Sequence, residues 1–339
     1  MLLCCCVLCD AQREKHGWLG DALDASEQAL YNFNTLAVHT NFLSLIEESQ
    51  GPGGDIPVVI PSGNPGAGSC GDIAWTAAFP LITHDMYRYY GDLRPVRRYW
   101  PSLVRYAGNL ISKASSSPDH LAECDQFADW FCSSVATGSN ASSCCTNSSD
   151  LIGCPVAAEM GSFSYVLVLR AMAAMASALG EAENATSYSQ LAANATADFH
   201  HTFWNERTQS YGSDLGGMQS LTLPALKIGS LPASVEARVV QNLQDDVEQR
   251  NDYHLAVGAV TGKILLNVLS DHGLHSSAMR VATQTTSPSW GFWWSQGSTT
   301  CWETFPTNEN ATSAAGGPGH TPQGQTTKNH IFLCVCYSL

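Results

Sequence analysis

The feature that most constrains this chain is a run of apolar side chains at three- and four-residue steps over residues 159–179. Phe163, Val166, Leu167, Met172, Met175 and Leu179 recur at the period of one helix face. Such a face has to be buried against another element, so a neighbouring helix or sheet is required. The same period returns in other stretches. Residues 23–48 carry Leu30, Phe33, Leu36, Val38, Phe42 and Leu45 at near-helical spacing. Residues 75–90 and 96–111 read as helices, the second with Leu103, Tyr106, Leu110 and Ile111 on one side. Helices are also expected at 185–204, 236–247, 259–269 and 276–284. Strand alternation is almost absent and no fixed-period repeat is visible, so the expected fold is mainly α, built from consecutive helical hairpins. Such hairpins can close into a toroid with loops at one end forming a cleft; an open bundle or solenoid is the alternative.

Gly and Pro punctuate "GPGGDIPVVIPSGNPGAGS" (51–69), which reads as a loop. Residues 114–155 form a Cys/Ser-rich loop with "QFADWF" (126–131) inside it, and residues 311–328 are Gly/Thr/Pro/Gln-rich and read as disordered. The 339 residues suit one large domain or two ordinary ones, and 44% apolar content supplies a sizeable core. No apolar run reaches the ~18 residues of a membrane span. Thirty acidic against sixteen basic residues give a net charge of −14, which argues against nucleic acid or an anionic membrane as partner and tolerates a neutral substrate such as a sugar.

The thirteen cysteines lack paired metal-site spacing. Cys124, Cys132, Cys144, Cys145 and Cys154 crowd one loop, which reads as a disulfide-stapled segment in an oxidising compartment; free thiols in a cytosolic chain are the alternative. Asn140, Asn147, Asn184, Asn194 and Asn310 open glycosylation sequons, five where chance gives about three. Location in the secretory pathway is therefore expected. The start "MLLCCCVLC" is a poor signal peptide, with no basic region and no small-residue cleavage site.

Two segments carry candidate chemistry. In "QREKHGWLGDA" (12–22), Glu14 and Asp21 flank Trp18, with Asp10 nearby and glycines at 17 and 20 allowing close backbone approach. A lone acidic cluster is more often a solvated loop. The tryptophan lifts this one, because aromatic faces commonly form sugar platforms. In "PSWGFWWSQGSTTCWETF" (288–305), four tryptophans, Trp290, Trp293, Trp294 and Trp302, stand beside Glu303. Core packing is the competing reading. The glycines and the polar "SQGSTT" favour a loop lining an aromatic cleft. Hydrolysis of a glycosidic bond needs one carboxyl group to protonate the leaving oxygen and a second to attack the sugar or activate water. Glu14 and Glu303 are candidates for that pair. Asp72 with Trp75, Asp129 with Trp130, and Asp252 with His254 are further acid–aromatic or acid–histidine pairs, with structural roles for Trp75 and Trp130 equally open.

Other chemistries lack their motifs: there is no nucleophile elbow, P-loop, dinucleotide fingerprint or H-E-x-x-H. His200 and His201 are adjacent on a helix and point apart, and His272 suits a helix C-terminus. No metal and no cofactor is expected.

The segments "REKHGWLGDA", "GDIAWTAAFPLITHDMYRYYGD", "ADW", "HLAVGAVTGKILLNVLSDHG" and "PSWGFWWSQGSTTCWE" resemble, in that order, the catalytic domain of α-L-rhamnosidases, with a last trace at "KNHIF" (328–332). The resemblance implies an (α/α)6 six-hairpin toroid and inverting hydrolysis of terminal α-L-rhamnose from glycosides or polysaccharides. It implies that Glu14 is the general acid and Glu303 the general base that activates water. Asp21 falls on an acid that contacts rhamnose, and Asp10 on an aspartate whose order and spacing differ here. Trp75, Trp130 and His254 fall on pocket-lining positions and His330 on a histidine that approaches the site. Trp18, Asp129, Trp290 and Trp302 complete the expected carbohydrate-binding set. The implied partner is a carbohydrate, with no nucleic acid or membrane. Residues 1–8 then read as a mis-drawn start, 9–310 as the catalytic domain, 311–327 as a low-complexity insert and 328–339 as a trace of the final hairpin with an aberrant end. The toroid is expected to be incomplete at both ends. A catalytically inactive remnant that at most binds sugar, and a six-hairpin enzyme for another sugar, are the alternatives.

Overall fold

A computed structural model describes residues 17–61, 71–122, 127–130, 155–211 and 219–298. Glu14, Glu303, Asp10, Trp302 and His330 lie outside these residues, as do the five clustered cysteines, three of the sequon asparagines (Asn140, Asn147 and Asn310) and the low-complexity stretch. The chain divides into two compact units, one drawn from residues 1–126 and 160–202, the other from 127–159 and 203–339.

In the first unit, α1 (Leu19–Asn32) and α2 (Leu36–Ser49) stand where one helix over 23–48 is expected. The break has a tertiary cause. The Tyr90 hydroxyl donates to the Phe33 carbonyl at 2.8 Å and accepts from the Thr35 N–H at 3.1 Å, so it holds the chain out of helix between them. Phe33, at the break, adopts extended backbone and is 63% exposed instead of joining the core. The short α3 (Ile73–Thr76) leads into α4 (Ala78–Tyr90), which ends on Gly91 in the left-handed region, as a residue without Cβ can. Helix α5 (Leu93–Ser116) starts on Asp92, whose carboxylate accepts from the Arg94 N–H at 2.9 Å. Helix α1 packs on α3 and α4, and α2 on α4 and α5. The core between them includes Leu19, Phe42, Leu43, Ile46, Phe79, Ile82, Tyr99, Leu103 and Tyr106.

The Gly/Pro loop over 51–61 is not a surface loop. Ile56, Val58, Val59 and Ile60 are buried, and Val59 pairs with Trp18 in an antiparallel bridge. Leu19 N–H donates to Val58 O at 2.9 Å and Ile60 N–H to Gly17 O at 2.8 Å, so this segment holds the entry to α1.

Helix α6 (Pro155–Leu179) buries Phe163, Val166, Met172 and Met175 as its spacing predicts, with Leu167 and Leu179 half-buried. Its stretch Ala157–Leu179 is long and apolar enough to cross a membrane by length and composition, unlike the expectation from uninterrupted apolar runs. Two-thirds of its most apolar window (67%) is buried inside the protein, which is how the core helix of a folded domain satisfies the same measure. Helix α7 (Ala182–Phe203) follows.

The second unit contains a small hairpin, β1 (Trp204–Asn205) on β2 (Ser210–Tyr211), where the Trp204 and Tyr211 rings lie 5.3 Å apart. Helix α8 (Gln219–Ile228) is buried at every position but Lys227, from Gln219 and Ser220 through Leu221, Thr222 and Leu223 to Ala225 and Leu226. It has no amphipathic period, so sequence reading missed it. Helix α9 (Ala233–Asp245) runs into a wider π-helical turn (Asp246–Arg250). The helix expected at 259–269 is two pieces, α10 (Ala259–Gly262) and α11 (Leu265–Asp271). Helix α12 is His275–Ala282, and α13 (Trp290–Ser295) is a short helix inside the stretch expected to be a loop. Helix α8 is the hub of this unit, touching α9, α10, α11 and β2. His272 stands at the C-cap of α11, as its sequence setting suggests.

Candidate functional site

The described site residues fall in both units, and each set is built within its own unit. In the first, Trp18 is the N-cap of α1 and Asp21 lies in its first turn, where the helix dipole favours a carboxylate. Both are half-buried. Two glycines make this turn possible. A Cβ on Gly17 would fall 1.8 Å from the Ile60 carbonyl oxygen, and one on Gly20 would fall 2.4 Å from Cε2 of the Trp75 indole. Trp75 is therefore laid flat against the backbone of the Trp18–Asp21 turn. It is 5% exposed, and its backbone N–H donates at 3.1 Å to the Asp72 carboxylate, which caps α3. Asp72 serves the helix start and Trp75 supports the turn that carries Trp18 and Asp21. Glu14 is four residues before Trp18.

In the second unit, Asp129 and Trp130 sit on a short turn. Asp129 is 2% exposed. Its Oδ2 accepts from the Ser220 hydroxyl at 2.6 Å, from the Gly258 N–H at 2.8 Å and from the Thr261 hydroxyl, and its Oδ1 accepts from the Thr261 N–H at 3.0 Å. Burial pushes the carboxyl above the ordinary aspartate range, and the Ser220, Thr261 and Gly258 hydrogen bonds pull against it. Trp130 is half-buried, packs edge-on to Phe127 at 5.4 Å, and its carbonyl accepts from the Ala259 N–H at 3.0 Å. The carboxylate of Asp129 is thus occupied by the fold, whereas Trp130 keeps an accessible face.

His254 ends a turn in which Asp252 and Tyr253 both lie in the left-handed region, with φ of 43° and 62°. Two successive non-glycine residues there cost about 1–3 kcal/mol each. The turn is held by the Arg280 guanidinium, 3.4 Å above the Tyr253 ring centroid, and by the Tyr253 N–H on Val247 O at 2.7 Å. His254 is 8% exposed; its Nδ1 lies 2.8 Å from Asn251 O and its Nε2 2.8 Å from the Thr286 hydroxyl. Beneath it, Asp246 is 1% exposed and takes hydrogen bonds from Arg250 at 2.7 Å and Asn251 at 2.9 Å. Burial raises its pKa to about 6 against the lowering pull of Arg250. The Leu255 N–H reaches Pro288 O at 3.2 Å, tying the His254 turn to the segment that opens α13. There Ser289 caps Phe292, and Trp290 is half-buried, Trp293 3% exposed and Trp294 82% exposed. The tryptophan-rich segment divides between core (Trp293) and surface (Trp294).

Ser220, Gly258, Thr261 and Thr286 were not singled out from sequence. Gly258 and Thr261 lie within "HLAVGAVTG", a segment already marked by resemblance, and were legible there. Ser220, on the helix without a period, was not. Glu159 is also new: fully buried, with no hydrogen-bond partner for either carboxyl oxygen among the described residues, and with its pKa raised well above the ordinary range by burial.

Both units are built from helices joined by turns, and buried acids and tryptophans stand on or beside those turns. The family model for the bacterial α-L-rhamnosidase six-hairpin glycosidase domain matches residues 3–337, and the chain belongs to that family. An α-L-rhamnosidase of Formosa agariphila is 24% identical over 323 residues, 95% of this chain and 32% of that protein. Among solved structures, the α-L-rhamnosidase from Dictyoglumus thermophilum superposes with a TM-score of 0.78 at 25% identity, covering 94% of this chain and 33% of that one. The Streptomyces avermitilis α-L-rhamnosidase in complex with L-rhamnose gives a TM-score of 0.76 at 23% identity, covering 95% and 28%, a likeness of fold. The mainly α, six-hairpin fold class read from the sequence is shown by these matches. The chain spans about a third of the length of the curated relatives it matches.

Proposed function

We propose that this chain hydrolyses terminal α-L-rhamnose from glycosides or polysaccharides with inversion. The observation that carries this reading is the family match across residues 3–337, which takes in both carboxylate segments. Glu14 acts as general acid on the leaving oxygen and Glu303 as general base on water. Asp10, Trp18, Asp21, Trp130, His254, Trp290, Trp302 and His330 are assigned to sugar binding by the family resemblance, within a catalytic region over residues 9–310. Trp75 supports the Trp18–Asp21 turn from behind. His254 serves by orientation, since both ring nitrogens are engaged.

The experiment is release of aglycone from a panel of aryl glycosides by the wild type and by Glu14→Gln and Glu303→Gln. Turnover of the α-L-rhamnoside alone, lost by ~10²–10⁴-fold in each variant, is expected. Turnover of a different glycoside, or variants as active as wild type, would sink the reading. Passage through the secretory pathway is proposed with it. The clustered cysteines and the sequons support it, and Asn194 is exposed on α7. Expression in a secreting eukaryotic host should give a mass shift that a deglycosidase removes; an unshifted secreted product would count against it.

A further inference from the structure

Asp129 is an acid read from sequence as a sugar contact, yet the structure surrounds it with protein donors. They come from separate places in the second unit: Ser220 on α8, Gly258 just before α10, and Thr261 within α10. The next residue, Trp130, is tied to the same segment through its carbonyl and the Ala259 N–H. Gly258 lets the two stretches touch, because a Cβ there would meet the Asp129 carbonyl oxygen at 2.2 Å and that of Trp130 at 2.5 Å. The Asp129–Trp130 backbone is therefore clamped by its own side chain on one side and by the Gly258–Ala259 backbone on the other.

We propose that Asp129 is a positioning residue: through Ser220, Gly258 and Thr261 its carboxylate fixes the turn that places the Trp130 indole. In its consequence for sugar binding this rests on the rhamnosidase reading. The cluster distinguishes a carboxylate from an amide of the same shape. Oδ2 faces the Gly258 N–H and Oδ1 the Thr261 N–H, and a backbone N–H can only donate. An asparagine amide has one oxygen, so whichever way it is flipped its NH₂ confronts one of these donors.

The test uses the full chain labelled with 5-fluorotryptophan, with the Trp130 signal identified by its loss in Trp130→Phe. Asp129→Asn should shift or broaden that ¹⁹F signal and leave the signal of Trp100, which packs on Tyr188, in place. Should Asp129→Asn not fold, Ser220→Ala removes one donor of the cluster and should move the same signal by less. A folded variant with an unmoved Trp130 signal overturns the proposal. L-rhamnose titration supplies the functional arm. Asp129→Asn should weaken binding about tenfold in the wild-type background and less than about twofold in Trp130→Ala, the coupling expected if one residue acts through the other. Equal weakening in both backgrounds overturns the proposal. A wild type that does not bind L-rhamnose overturns the rhamnosidase reading alone, and the ¹⁹F comparison then decides the positioning role by itself.

Discussion

Replacing Gly20 with alanine sets two effects of known size against each other. Gly20 lies in helix α1, and alanine is favoured over glycine in a helix by ~1 kcal/mol. At this position the new methyl would sit 2.4, 2.5 and 2.6 Å from three atoms of the Trp75 indole, a ring only 5% exposed. Forcing a methyl into a packed core costs ~1–3 kcal/mol. The buried ring has little room to retreat, so the upper end applies and the net effect is a loss of ~2 kcal/mol. Gly108, on the exposed side of α5, is the matched control. Nothing lies within 4 Å of a Cβ there, so Gly108→Ala keeps only the propensity gain of ~0.5–1 kcal/mol. The two substitutions are chemically identical and should differ by ~3 kcal/mol with opposite signs, or about 6–12 °C in Tm. Urea and thermal unfolding followed by circular dichroism read both. In a Trp75→Leu background the Gly20→Ala penalty should fall below ~1 kcal/mol, because the clashing ring is gone. If Gly20→Ala stabilises as much as Gly108→Ala, the packing of Trp75 on the α1 turn is refuted, and with it the support assigned to Trp18 and Asp21.

The tryptophans of α13 make a second pair. Trp293→Ala should cost ~3–5 kcal/mol as a buried aromatic, whereas Trp294→Ser at 82% exposure should stay within ~0.5 kcal/mol, both by urea unfolding. His84 is held at about 4, below its ordinary 6.5, first by burial and then by the Arg88 charge. Its contribution is full above 6.5 and lost as pH falls toward 4, because the unfolded chain takes the proton first. The urea midpoint of His84→Gln should therefore fall less than that of wild type between pH 6.5 and 4; equal falls would exclude His84 as a source. Glu159 has the opposite sign: burial raises its folded pKa above 4.5, so its stability is full below 4.5 and lost as pH rises through the folded value. Glu159→Gln should flatten that loss, and an unchanged pH profile would show that the carboxyl is solvated.

The helical architecture was legible because most helices bury one face and leave the period of that face in the sequence. Helix α6 shows it through Phe163, Val166, Met172 and Met175. Helix α8 was not legible for the same physical reason inverted: buried at every position but Lys227, it has no polar face to set a period. The break between α1 and α2 was hidden because Tyr90, 55 residues away from Thr35, makes it. The acid–aromatic pairs fall on turns and helix starts of the fold, but the sequence does not show the work of each side chain. Asp129 and Trp130 are neighbours in sequence, yet one faces four donors inside the fold and the other keeps an accessible face. Trp75 reads equally as pocket or core in one dimension, and only the contact with Gly20 shows it supporting the α1 turn.

The most direct test of the account is ¹H NMR of the first sugar released from an aryl α-L-rhamnoside by the wild-type chain, recorded before mutarotation. Two carboxyl groups acting as acid and base, with water attacking the opposite face, predict that the β-anomer of L-rhamnose appears first and the α-anomer grows in behind it. An α-anomer formed first would contradict the inverting pair, and release of a sugar other than rhamnose would contradict the assignment of substrate.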